Sequence, residues 1–318
     1  MREIIIAKND AGQRLDKFLT KKFKNLPMSM MYKLIRKKKI TVNKKRVKEN
    51  QVLVEGDLLL IFAPDDILTE NSPKRIKTKG TINVVYEDEN ILIVDKESGL
   101  LVHSDTNEEG DTLIDRITAY LIDKGEFDPE NENSFSPALC NRIDRNTEGL
   151  VIAAKNAASL REMNDIIKNR KIQKIYLAAV HGIPNPRSGE IKLHLQKDKD
   201  NNIVRVKSKE SNDTKFSITK YNTVSVSRNK EFSLLEIELI TGRTHQIRAS
   251  FAHIGHPLVG DGKYAVNKKD REMGYKSQAL CAYSITFTGC SQNATLGYLD
   301  GLTVNAKKPR FLSLFKSR

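Results

Sequence analysis

The chain has 318 residues, 39% hydrophobic and 30% charged, with a formal net charge of +14. These proportions describe a folded protein of about two domains and exclude a disordered or fibrous chain. No run of about 18 apolar residues is present, which excludes a hydrophobic membrane helix. The amino-terminal MREIIIAKND has too short an apolar stretch for a secretory signal. Cys140, Cys281 and Cys290 form neither a CxxC pair nor a disulfide framework, as expected of a cytoplasmic protein.

The charge is uneven. Residues 1–63 hold 16 Lys and Arg against 6 Asp and Glu, a net of +10, whereas residues 81–318 carry only +3. A compact basic segment beside a nearly balanced one suggests a polyanion-binding module joined to a second domain. Within the basic segment, Leu15, Phe18, Leu19 and Phe23 recur at helical spacing. Met31, Leu34 and Ile35 mark a second helix, with Ser29 as its expected N-cap. Arg36, Lys37, Lys38 and Lys39 crowd its carboxyl end, where positive charge suits the helix dipole. ITVNKKRV then reads as strand, turn and strand, with Lys44, Lys45 and Arg46 at the turn, and Gly56-Asp57 precedes a last strand. Residues 64–80, rich in Pro, Ser, Asn and charge, read as a linker.

Residues 81–318 read as a larger second domain. INVVYEDENILIVDK predicts two strands around a tight turn, TLIDRITAYLIDKG a helix, and residues 125–138 a polar loop. SLREMNDIIKNRK predicts another amphipathic helix. KIYLAAVHG, KFSITKYNTVSVS and EFSLLEIELIT read as strands. THQIRASFAHIGHP reads as a helix closed by Gly255, with Pro257 just beyond. Strands outnumber helices and do not alternate with them, so the expected class is α+β with a mainly antiparallel mixed sheet.

Several chemistries lack their signatures. There is no GxxxxGKS phosphate loop, GxGxxG turn, HExxH pair or GxSxG elbow. His245, His253 and His256 do not have zinc-ligand spacing, so no metal site is expected. Glu148 follows Asp144 by four residues, but Gly149 and the apolar run after it make this segment a turn entering a strand, so the two carboxylates would not share a helix face. What remains is a set of polar motifs attached to strands. In NRIDRNTEGLVIAA, one carboxylate, Asp144, stands between Arg142 and Arg145.

Two resemblances follow from these motifs. RLDKFL, the basic helix and VNKKRVKENQVLVEGD resemble the S4 RNA-binding domain over most of residues 12–62. Residues 81–310 resemble the RluA family of pseudouridine synthases. Four elements carry that likeness: Arg142-Ile143-Asp144-Arg145-Asn146-Thr147-Glu148-Gly149-Leu150, Lys174-Ile175-Tyr176-Leu177-Ala178, Thr241 to Arg248, and Gly255 to Asp261. A weaker element runs from Lys96 to His103, and Asn141, Glu97 and Ser250 depart from the commoner family residues. A sister family acting on small-subunit rRNA also carries an S4 domain, but the unbroken TGRTHQIR favours the first family.

The resemblance implies an isomerase that detaches uracil from ribose at N1, turns it and rejoins it through C5, needing neither cofactor nor metal. By resemblance Asp144 is the catalytic acid, Arg243 its ion-pair partner, and Tyr176 the ring that stacks on the target base. Arg142 would help keep the nucleotide flipped out and Arg145 would contact RNA, as would Arg36, Lys37, Lys38, Lys39, Lys44, Lys45 and Arg46 in the S4-like segment. Structured ribosomal RNA, of the large subunit, is the expected substrate, and no obligate protein partner is inferred. The alternatives are a tRNA substrate, or a non-catalytic RNA-binding or ribosome-assembly protein.

Overall fold

A computed structural model describes residues 1–70, 78, 80–104, 111–130, 132–198 and 200–315. The amino-terminal part runs β1 (Arg2–Ile5), α1 (Leu15–Lys22), α2 (Met28–Arg36), β2 (Ile40–Val42), β3 (Lys45–Arg46) and β4 (Leu58–Ile61). Its four strands form an antiparallel sheet in the order β1-β4-β2-β3. The helical spacing read from the sequence has its cause in this core. Leu15, Phe18 and Leu19 of α1 are completely buried and meet Met31, Leu34 and Ile35 of α2 over the sheet. Burial contributes about 1.5–3 kcal/mol for each such side chain.

Two expectations change here. Helix α2 is capped by Pro27, not Ser29. Pro27 has φ −63° and ψ 142°, so the ring sets an extended entry and the helix begins at Met28, with Ser29 already inside its first turn. The expected linker also begins as packed structure: Leu68 is fully buried in the amino-terminal core, and Glu70 bridges to Phe23. The rest of that expected linker, residues 71–77 and 79, lies outside the described residues.

The second part runs β5 (Val84–Glu87), β6 (Ile91–Lys96), α3 (Leu113–Asp123), β7 (Ala138–Leu139), β8 (Glu148–Ala154), α4 (Ala157–Lys168), β9 (Ile172–His181), β10 (Ser188–Asp198) and β11 (Ile203–Lys207). β12 (Thr214–Val226), β13 (Phe232–Leu239), α5 (Gln246–His253), α6 (Lys268–Glu272), β14 (Leu280–Phe287) and β15 (Thr303–Asn305) follow. One mixed sheet has the order β11-β10-β12-β13-β9-β14-β8-β6-β5, with β15 on β14 and β7 on β8. Its pairs are antiparallel except for β14 with β8. The α+β class expected from the strand count is therefore the observed one.

Period-two alternation gives this sheet two buried faces. Val151, Ala153, Tyr176, Ala178 and Val180 point to a core that includes Ile117 of α3 and Phe251 of α5. Leu150, Ile152, Leu177 and Ala179 point to the other, packed against Met163 and Ile166 of α4. At the parallel seam the backbones approach very closely. A Cβ on Gly149, whose φ is +112°, would lie 2.3 Å from the Ala282 carbonyl oxygen. Only glycine satisfies both the positive φ and the close approach.

The two parts dock through polar groups. Asp10 is fully buried and accepts hydrogen bonds from Asn133 Nδ2 at 2.9 Å and Ser134 Oγ at 2.7 Å. Asn9 donates to Glu132 at 2.7 Å, and Arg161 of α4 donates to the Ala11 carbonyl at 2.7 Å. The stretch read as a plain polar loop thus carries the docking surface for the basic segment.

Candidate active site

Three motif elements converge on one cleft of about 780 Å³. The turn before β8 supplies Arg142 and Asp144, the middle of β9 supplies Tyr176, and the turn from β13 into α5 and the first turn of that helix supply Arg243, His245 and Arg248. The turn around Asp144 is braced from two sides. Asn141 clamps the first turns of β8, donating to the Leu150 carbonyl at 3.3 Å and accepting from the Ile152 amide at 2.8 Å. Lys96 reaches in from β6, 2% exposed, and its ammonium donates to the carbonyls of Glu97, Leu100 and Arg145 at 2.8–2.9 Å. Gly99 and Arg145 exchange a further bond, amide to carbonyl at 2.9 Å, and Arg145 Nε donates to the Gly99 carbonyl at 3.1 Å. Burial pushes the Lys96 ammonium down to about 8, against the pull of Asp144, Glu148 and Glu97.

The acid's partner differs from the sequence expectation. Arg248, not Arg243, pairs with Asp144: Arg248 Nη1 lies 3.0 Å from Asp144 Oδ2. The remaining edge of the same guanidinium grips Asp261, with Nε to Oδ2 at 2.7 Å and Nη2 to Oδ1 at 2.9 Å. Asp261 is fully buried, and the Arg248 side chain is 7% exposed. Burial by itself would lower the Arg248 guanidinium, but the bonds and charges of Asp261 and Asp144 raise it above the ordinary arginine range. Arg243 sits instead on the exposed outer turn, where its Nε donates to the Phe216 carbonyl at 3.2 Å. The reason lies in where the helix begins. Residues 241–244 precede α5, whereas Arg248 is its third residue and faces inward. Gln246 fixes this arrangement, accepting from Thr241 Oγ1 and the Arg243 amide while donating to the Ile218 carbonyl and Thr219 Oγ1.

Tyr176 is 8% exposed and lines the cleft. Burial, and then the charge of Asp144, pushes its phenol up. Arg142 is exposed at the cleft mouth. Asp144 itself keeps 26% of its side chain open to solvent, so the cleft presents a carboxylate that is paired yet reachable. Arg248 and Asp261 are the residues that motif reading passed over, although both stand inside the quoted motifs: Thr241 to Arg248 offers two arginines, and Gly255 to Asp261 a single carboxylate. Among the described residues no group of three His, Cys, Asp or Glu side chains is arranged to hold a metal ion.

In the amino-terminal part, Arg36, Lys37, Lys38 and Lys39 follow one another off the end of α2, and Lys44, Lys45 and Arg46 occupy the β2–β3 hairpin. All seven are exposed, and none forms an ion pair among the described residues. No helix among those residues is long and apolar enough to cross a membrane.

Comparison with known proteins places the chain among families. Residues 90–253 match the model of the RNA pseudouridylate synthase family, and residues 13–59 match that of the S4 domain. An uncharacterized RNA pseudouridine synthase of Mycoplasma genitalium is 34% identical over 289 residues, covering 90% of this chain and 88% of the relative. The ribosomal large subunit pseudouridine synthase C of Buchnera aphidicola subsp. Baizongia pistaciae is 36% identical over 281 residues, covering 83% and 81%. In fold, the chain is similar to human RNA Pseudouridylate Synthase Domain Containing 1, with a TM-score of 0.57 at 21% identity over 75% of this chain and 89% of that one. The chain belongs to the RNA pseudouridylate synthase family, carrying an S4 domain ahead of its catalytic fold, and is an RNA pseudouridine synthase.

Proposed function

We propose that the enzyme isomerises uridines of large-subunit ribosomal RNA, with Asp144 as the catalytic carboxylate acting on a nucleotide flipped into the cleft. The observation that carries the chemistry is a reachable carboxylate bonded to a buried arginine, with a buried tyrosine lining the same cleft. The reaction breaks the C1′–N1 bond, rotates the base and forms a C1′–C5 bond; N1 gains a proton and C5 loses one, so no atoms are gained or lost overall. A carboxylate serves this by attacking C1′, by removing a ribose proton to give a glycal, or by adding to base C6. Each route needs the carboxylate held in place, and Arg248 anchors one of its oxygens by a charged hydrogen bond. A uridine inside a stacked helix cannot reach Asp144, so it must be extruded. Tyr176 would then lie against the base, Arg142 would occupy the space it leaves, and the outward Arg243 would meet a phosphate.

The division of labour follows the charge. We assign RNA capture to residues 1–63, through the two exposed basic clusters, and chemistry to residues 81–318. The S4 module and the name of the Buchnera relative favour large-subunit rRNA over tRNA, a role that would place the enzyme in the cytoplasm. The test is a pseudouridine map of rRNA and tRNA from a strain lacking the gene, complemented with wild type and with Asp144→Asn. Loss of large-subunit rRNA sites restored by wild type alone is expected. Loss confined to tRNA would overturn the substrate, and restoration by Asp144→Asn would overturn the acid.

A further inference from the structure

His245 stands in the left-handed backbone region, with φ 49° and ψ 21°, at the cap of α5. Glycine or asparagine adopts this conformation at lower cost, so the position raises the question of what its imidazole does there. Its side chain is 8% exposed and points both ways along a chain of polar groups. On one side, Nδ1 lies 2.9 Å from Tyr264 Oη, with the two rings edge to face at 5.7 Å. On the other, Nε2 lies 3.8 Å from Asp144 Oδ2.

We propose that His245 is a positioning residue for Asp144: Tyr264 locks it in the tautomer with hydrogen on Nε2, and that N–H together with Arg248 holds Oδ2, leaving Oδ1 as the reacting oxygen. The inference rests on the reading of Asp144 as the catalytic carboxylate.

The tautomer follows from counting hydrogens. The Val204 amide donates to Tyr264 Oη at 2.8 Å. The phenol has one hydrogen of its own, and His245 Nδ1 is the acceptor beside it. Giving the hydrogen to Nδ1 satisfies both the phenol and Nδ1; the reverse would leave the phenolic hydrogen without an acceptor among the described residues. Nδ1 is then an acceptor, and the ring hydrogen is on Nε2, facing the carboxylate. The ring is held neutral: burial, aided by Arg248 and Lys263, outweighs the charges of Asp144 and Asp261 and pushes it down to about 4.

At 3.8 Å the contact is longer than a hydrogen bond. An oriented N–H dipole still acts on a carboxylate at that range, and catalytic contacts commonly shorten once substrate is bound. Arg248 Nη1 already bonds the same oxygen at 3.0 Å. Both donors therefore converge on Oδ2, and among the described residues no hydrogen bond reaches Oδ1. The carboxylate is orientated, with one oxygen anchored and the other free for C1′, the ribose proton or base C6.

Three variants separate aim from folding: His245→Gly, His245→Gln and Tyr264→Phe, with Asp144→Asn as reference. The measurements are single-turnover tritium release from C5-labelled RNA at saturating enzyme, RNA affinity, and melting temperature. His245→Gly should melt no lower than wild type, because glycine suits the left-handed backbone, and should bind RNA as wild type does. Its chemical step should nevertheless slow by about tenfold, the effect of removing one modest transition-state interaction. His245→Gln, whose amide N–H can reach the carboxylate, should recover most of that rate. Tyr264→Phe, which keeps the ring but frees its tautomer, should fall between. A wild-type rate in His245→Gly, or a glutamine variant no faster than the glycine one, overturns the inference while leaving Asp144 in place. If Asp144→Asn itself turns over normally, the underlying reading fails and the inference with it.

Discussion

Arg248 bridges two carboxylates, and removing it should separate the stability of the fold from the chemistry of the site. In Arg248→Met the fully buried Asp261 loses a two-pronged partner, while Asp144, at 26% exposure, loses one bond and can turn to water. Leaving a buried charge unpaired costs about 3–5 kcal/mol, so the urea unfolding free energy, followed by circular dichroism, should fall by roughly that amount. Adding Asp261→Asn removes the orphaned charge while the amide oxygen can still accept from the Lys263 and Tyr264 amides, now bound at 3.0 and 3.3 Å. The double variant should therefore regain about half or more of the missing stability, since the uncompensated charge is the larger part of the penalty. Activity should not return with it. A hydrogen bond to a charged group contributes about 1.5–3 kcal/mol, which in the transition state corresponds to a rate reduction on the order of 10- to 100-fold. Single-turnover rates at saturating RNA decide the matter. A single variant within about 1 kcal/mol of wild type, well short of the expected buried-charge penalty, or a double variant that recovers its rate with its stability, would refute the reasoning.

Asp144→Asn is isosteric and removes only the charge, so pseudouridine formation measured by tritium release should stop while the melting temperature and RNA affinity hold; turnover within about tenfold of wild type, a barrier change of only ~1.4 kcal/mol, would remove the acid from its role. Replacing Lys37, Lys38, Lys44 and Lys45 by glutamine should weaken RNA binding and flatten the plot of log affinity against log salt by up to about 0.7–0.9 for each phosphate left without its lysine; an unchanged slope would make these exposed side chains bystanders. Lys96 gives a pH prediction. Its folded value, about 8, lies below the unfolded 10.5, so between those limits the unfolded chain holds more protons and this group stabilises the fold as pH rises. Unfolding free energies of wild type minus Lys96→Met should accordingly climb by up to about 1.4 kcal/mol per pH unit above pH 8; a flat difference would show that the buried ammonium keeps its proton throughout.

Local order was legible in the chain where spacing alone determines structure. The i, i+3, i+4 pattern of Leu15, Phe18 and Leu19 can bury only as a helix, and Gly255 with Pro257 closes α5. The motif around Asp144 and the family likeness are also properties of order along the chain. Strands β1, β10, β11 and β14 were not legible: for Ser188–Asp198, the pairing partners that bury alternate residues come from distant parts of the chain, and its pattern of burial is too irregular to announce a period of two. What only the tertiary structure decided is which charges meet. Arg243 and Arg248 are five residues apart in one motif, and the register of α5 alone turns the second toward Asp144 and Asp261. Lys96 bonding Arg145 and Asp10 bonding Ser134 join residues 49 and 124 positions apart. Hydrophobic periodicity is a short-range signal that the sequence carries in every turn. A polar contact depends on the three-dimensional path that returns the chain to the same place, and that path becomes definite only when the two faces of the large sheet are packed.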